Sequence, residues 1–213
     1  MLEKPSRTCA FLIHGFNVWD GGAATVGTLA PFFAAQGVTP VSIDYGHFGL
    51  IQTKLFNNRV AEKVNAAIRA ASVSYDHVLL VGHSNGCAVI DAASRRPGFK
   101  AAGFIYINPA LRRDRTLAPG VDFLHVWHSP SDWVVRIARR LPFARNWGAM
   151  GAHGYQGVPD PRVENFNKEV GYPVSSSGHS DVFAYDKRPT FGPIIVGNAV
   201  DATLTNPLRR PVT

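Results

Sequence analysis

Residues 79–91 read LLVGHSNGCAVID: apolar residues run into Gly82-His83-Ser84-Asn85-Gly86, and the chain leaves on a helical pattern. Gly-x-Ser-x-Gly is the spacing of a sharp strand-to-helix turn that lifts a serine Oγ clear of a sheet. Such a turn is crowded, so the positions flanking the serine take residues almost without side chains. The pattern is short and specifies little by itself. Its surroundings decide the fold.

Outward from this stretch, apolar runs bounded by turn residues recur at 8–15, 38–46, 77–84, 103–110 and 122–129, and each reads as a buried strand. Between them, 24–37, 53–72 and 85–98 carry helical patterns. In the second, Leu55, Val60, Val64, Ala67, Ile68 and Ala71 keep the helical period. The third must stop at Pro97-Gly98. Strand alternating with helix predicts an α/β domain, a parallel sheet with helices on both faces. After the fifth strand, 133–141 reads as a short helix with arginines outward and 162–170 as a sixth strand. The segments 180–186 and 193–204 read as closing helices. The glycine- and proline-rich stretch 142–161 has no clear period. No linker composition interrupts the chain, so 1–213 is read as one domain.

Composition narrows the function classes. With 213 residues, 46% of them hydrophobic and 17% charged, the chain can bury a sizeable core and is not disordered. The formal charge of +7 is spread over pairs such as Arg95-Arg96, Arg112-Arg113 and Arg139-Arg140. No basic stripe interleaved with aromatics emerges, so nucleic acid is not an expected partner. The apolar run near the start is too short to span a bilayer and lacks a cleavage site. Cys9 and Cys87, both on predicted buried elements, read as reduced thiols. A cytoplasmic protein without membrane insertion is expected.

A serine nucleophile needs a base, an orienter for the base and donors for an oxyanion. His179, in the small polar loop SSSGHSDVF before a helical pattern, is the candidate base. His14 and His83 sit inside glycine turns, His125 and His128 share a strand, and the others lack a preceding strand. Asp132, a few residues past the fifth strand in HVWHSPSDWVV, is the candidate acid, and it could also cap the helix that follows. Asp114, after the preceding strand, is the alternative acid. The candidate oxyanion donors are the backbone N–H groups of Phe16, after the first strand, and of Asn85, after the serine. No metal-ligand cluster with sensible spacing is present, and the chemistry calls for no cofactor.

These segments taken together resemble the α/β-hydrolase superfamily, in particular its compact bacterial lipase and esterase members that lack the first two strands. The resemblance is carried by AFLIHGF (10–16), VSIDYG (41–46), LLVGHSNG (79–86) and HVWHSPSDWVVRIARRLPFARN (125–146). It implies a six-stranded, mostly parallel sheet with Ser84 as nucleophile, Asp132 as acid and His179 as base. It implies a serine esterase or lipase-like enzyme acting on a small-molecule ester. Amidases, thioesterases and acyltransferases share this machinery, and a non-catalytic binding scaffold would have lost part of it. The sequence departs from the compact pattern between 147 and 178. There Trp147, Met150 and Tyr155 are candidate substrate-binding residues, and 142–161 a candidate lid or substrate loop.

Overall fold

The computed structural model describes residues 6–16, 18–46, 50–138 and 147–205, without the side chains of 50–57 and 138. Six strands, β1 (Thr8–Ile13), β2 (Thr39–Ile43), β3 (His77–His83), β4 (Ala101–Ile107), β5 (Val121–His128) and β6 (Val163–Asn167), form one sheet in the order β2-β1-β3-β4-β5-β6. Every neighbouring pair is parallel. The expected "mostly parallel" sheet is thus wholly parallel.

The burial of each strand explains its place. β1, β3, β4 and β5 are buried almost throughout, as strands covered on both faces must be. β2 and β6 are half-exposed and lie at the edges. Pro40 on β2 is tolerated there because an edge strand has one row of backbone groups outside the ladder.

Among the described residues, six α-helices lie between or after the strands: α1 (Ala30–Ala35), α2 (Leu50–Ala71), α3 (Asn85–Ser94), α4 (Trp133–Ala138), α5 (Met150–His153) and α6 (Arg188–Thr205). Strand side chains alternate between two cores. Cys9, Phe11, Ile13, Val78 and Leu80 join Val60, Val64 and Ile68 of α2 and Val89 and Ile90 of α3 on one face. Ala10, Leu12, Leu79 and Val81 join Phe33 of α1 and Phe191, Ile195 and Val196 of α6 on the other.

Three expected helices differ in extent. The segment 24–37 is a 3₁₀ turn at Val26–Leu29 followed by α1, with Pro31 in the helix's first turn where its missing N–H costs nothing. The segment 180–186 shortens to a 3₁₀ turn at Asp181–Phe183, which buries Val182 and Phe183. The last helix begins earlier than expected and continues through Pro193. It lies so close to α1 that a Cβ on Gly192 would meet the Phe32 ring at 2.4 Å. Of the expected helix 133–141 and the stretch 142–161, residues 139–146 lie outside the described residues. Among the described residues, no helix is long and apolar enough to cross a membrane.

Candidate active site

The chain leaves β1 toward the β2 edge, and β3 returns on the other side of β1. The carboxyl ends of β1 and β3 thus form the point where the strand order reverses, the place where ligands bind in open α/β sheets. Ser84 stands there, between β3 and α3, with φ 54 and ψ −120. The two flanking glycines are explained by close approach. A Cβ on Gly86 would lie 2.2 Å from the Ile13 carbonyl oxygen, and one on Gly82 2.8 Å from the Cys87 nitrogen. Only a bare backbone lets α3 start this close to β1. Among the described residues, one other non-glycine has positive φ: Asn108 (φ 46), at the end of neighbouring β4. Such conformations cost of order 1–3 kcal/mol each and persist where surrounding structure imposes them.

The loop after β1 lies against the serine. A Cβ on Gly15 would sit 3.1 Å from Ser84 Cβ and 3.6 Å from its Oγ. The loop is propped by Tyr45, after β2, whose hydroxyl donates to His14 O and lies 3.1 Å from Gly15 O. The Tyr45 ring stacks on His14 with centroids 4.0 Å apart. Burial raises the Tyr45 pKa, so the hydroxyl stays a donor. Phe16 stacks on Trp147 at 5.6 Å, and Trp147 Nε1 donates to Asn85 Oδ1 at 3.2 Å. The structure therefore brings both expected oxyanion residues and Trp147 into one cluster beside Ser84.

On the far side, the His179 ring places Nδ1 2.8 Å from Asp132 Oδ2. Asp132 is fully buried. Burial raises its pKa, but His179, the Asn108 amide and the Val135 N–H outweigh that effect and hold it below the usual value. Its Oδ1 accepts from Val135 N at 3.2 Å, an N-cap on α4, so one carboxylate both starts the helix and holds the imidazole. His83 ties this side to the serine turn, because its Nε2 lies 3.1 Å from His179 O. Burial drives the His83 pKa down to about 3, so the ring is neutral and can donate that bond. Asp114 is an exposed carboxylate paired with Arg112 at 2.7 Å and takes no part in the cluster.

The other two candidate substrate residues sit elsewhere. Met150 is buried in the core of the α2/α3 face. Tyr155 lies beside β6, with its N–H on Asn165 Oδ1 at 2.7 Å and its hydroxyl on Val158 O at 2.9 Å. Met150 is placed there because α5 packs on β5 and against the residue after β4: a Cβ on Gly151 would meet the Asn108 backbone at 2.6 Å.

Sequence reasoning missed the supports. Glu169, just past β6, accepts from Ser129 Oγ and, at 2.7 Å, from Ser131 N. Ser129 Oγ in turn accepts from Gly178 N at 2.9 Å. The loops carrying Asp132 and His179 are thus pinned to each other and to β6. Beside Glu169, the buried Lys168 donates to Asn108 Oδ1, while Asn108 Nδ2 donates to Asp132 Oδ2 at 2.8 Å. The available signal was positional: polar residues at the carboxyl ends of predicted parallel strands, as in YINPA (106–110) and ENFNKE (164–169).

No family model matches the sequence, and no curated protein matches it. Solved structures do match its fold. One comes from LipS and LipT, two metagenome-derived lipolytic enzymes, with a TM-score of 0.59 and 17% identity over 93% of this chain and 94% of that one. The Pyrococcus furiosus esterase Pf2001 gives 0.60 and 11% over 90% and 80%. The Thermogutta terrifontis esterase Est2 gives 0.55 and 12% over 99% and 87%. Identities this low carry architecture rather than activity. The parallel sheet, the serine at its strand-to-helix turn and these likenesses lead to one conclusion: the chain has the α/β-hydrolase fold.

Proposed function

We propose that the protein is a serine hydrolase cleaving small carboxylic esters through an acyl-enzyme. His179 Nε2 takes the Ser84 proton as Oγ attacks the ester carbonyl. Asp132 holds the imidazole with its proton on Nδ1 and stabilises the imidazolium. The N–H groups of Phe16 and Asn85 receive the oxyanion, each such donor being worth about 3 kcal/mol of transition-state stabilisation. His179 then protonates the departing alcohol, and a water deprotonated by the same ring releases the acid.

One observation carries this reading. The strained Ser84 backbone and the 2.8 Å His179–Asp132 pair lie on the carboxyl side of one sheet, joined by the His83 bond to the His179 carbonyl. The fold neighbours named as esterases and lipolytic enzymes agree with it. Cys9 and Cys87 are buried and unpaired, and burial raises both thiol pKa values, so neither is a competing nucleophile. Buried free thiols also fit a reducing compartment such as the cytoplasm. Trp147 contacts both Phe16 and Asn85, which supports a role for it in shaping the substrate site.

The test is an organophosphonate probe read by intact mass. One adduct on the wild type, absent in Ser84→Ala, is expected. A graded panel of nitrophenyl esters and matching anilides then separates ester from amide cleavage, with the esters expected to turn over faster. A folded wild-type protein that takes no label would overturn the reading in favour of a binding scaffold.

A further inference from the structure

Lys168 has no task in that reaction, yet it is one of the largest side chains with no solvent exposure. A buried ammonium must be paired and hydrogen-bonded. Its Nζ donates to Asn108 Oδ1 and faces Gly178 O at 3.4 Å. The bonding is unambiguous. An ammonium can only donate, so the Asn108 oxygen must face Lys168. A carboxylate can only accept, so the Asn108 NH₂ must face Asp132, where Nδ2 lies 2.8 Å from Oδ2. The same Oδ2 accepts from His179. Lysine, amide, carboxylate and imidazole thus form one line of directed bonds, and the strained φ of Asn108 holds its amide in that line.

We propose that Lys168 is a positioning residue for the hydrolytic site: through the Asn108 amide its ammonium fixes Asp132 Oδ2 against His179. This rests on His179 acting as the base. The ammonium opposes the Asp132 charge through the amide, so the net charge beside the reacting groups depends on it.

Other charged and titratable groups face the same space. Asp132 comes from the loop after β5, Glu169 follows Lys168 directly, and Asp181 lies in the 3₁₀ turn. His128 ends β5 and His83 ends β3, and the Lys168 charge adds to the burial that lowers both. Burial lowers the lysine itself to about 8, opposed by Asp132, Asp181 and Glu169, so it remains mostly protonated at neutral pH. A lysine that merely filled space could be replaced by methionine with no effect on the pH profile of turnover.

The test uses Lys168→Met and Asn108→Asp, read by the pH profile of kcat/KM on a nitrophenyl ester. Lys168→Met removes the cation. Asn108→Asp keeps the shape and a partner for Lys168 but replaces the donor to Asp132 with an anion. Both are expected to move the acid limb upward by roughly half to one and a half pH units. In Lys168→Met, kcat should fall roughly tenfold or more with KM within about twofold, because positioning acts on the transition state. If Lys168→Met does not fold, Asn108→Asp decides alone. Ester turnover with an unmoved acid limb in the folded variants overturns the proposal and leaves the hydrolase reading intact. A wild type that neither labels nor turns over ester overturns both.

Discussion

Asp132→Asn is the substitution whose outcome the geometry constrains most. Its two oxygens have separate duties: Oδ2 accepts from His179 and Asn108, and Oδ1 accepts from Val135 N. An asparagine has one oxygen to offer. If its nitrogen took the Oδ2 position it would face the Asn108 NH₂, which Lys168 prevents from turning. The oxygen must therefore stay toward His179, and the nitrogen must meet the Val135 N–H. The imidazole keeps the correct tautomer, while the helix cap and the negative charge are lost. A lost cap costs about 1 kcal/mol of stability. The lost charge removes about 4 kcal/mol of imidazolium stabilisation, taking charges about 4 Å apart in an effective dielectric of about 20. Turnover is thus expected to fall about a thousandfold, less than the roughly ten-thousandfold loss of a triad in the wrong tautomer. Initial rates on a nitrophenyl ester, with a thermal melt for the cap, measure both. Asp114→Asn, which touches only the exposed Arg112 pair, should leave the rate unchanged. An Asp132→Asn enzyme within threefold of wild type, or a larger loss from Asp114→Asn, would refute the reasoning.

Three further outcomes are expected. Trp147→Ala loses the bond to Asn85 and the stack on Phe16, so acyl-chain preference on the ester panel should shift, by about tenfold for a contact worth 1–3 kcal/mol, while Ser84 labelling persists. Gly86→Ala forces a Cβ to within 2.2 Å of the Ile13 carbonyl and 2.6 Å of the His14 carbonyl. Because these neighbours are backbone, denaturant unfolding should show a loss of about 1–3 kcal/mol or more, and labelling should be slow. Lys168 is lowered from 10.5 to about 8 on folding, so between those values the unfolded chain binds more protons and stability rises with pH. Urea unfolding at pH 7.5 and 10.5 should show this contribution, up to about 3 kcal/mol, in wild type and not in Lys168→Met.

The sheet was legible because four of its strands are buried on both faces and so read as unbroken apolar runs. β6 was read as a strand over 162–170 although VENFN does not alternate: Val163 and Phe166 stand three apart and pack on opposite faces of the sheet. The helix expected at 24–37 was over-read, because its small residues carry a helical period while the backbone tightens into a 3₁₀ turn before Pro31. Ser84, Asp132 and His179 were legible as candidates because each follows a strand or precedes a helix. Met150 and Tyr155 went to the core and to the β6 edge because an apolar side chain in a glycine-rich stretch has no signature separating packing from a binding surface. Asn108 and Lys168 were invisible for a related reason. Their partners lie 24 and 60 residues away, and only the sheet order makes them neighbours.

The attachment of β6 carries a consequence for local stability. The edge strand is half-exposed, and the two residues that follow it hold the loops of Asp132 and His179, whereas Ser84 is anchored in the centre of the sheet. Openings of a protein begin where few buried contacts oppose them, at free energies well below that of global unfolding. Fraying of β6 would release the Asp132 and His179 loops together and leave Ser84 in place. The protein therefore has two thresholds, a lower one for bringing Asp132 and His179 together and a higher one for the fold that holds Ser84.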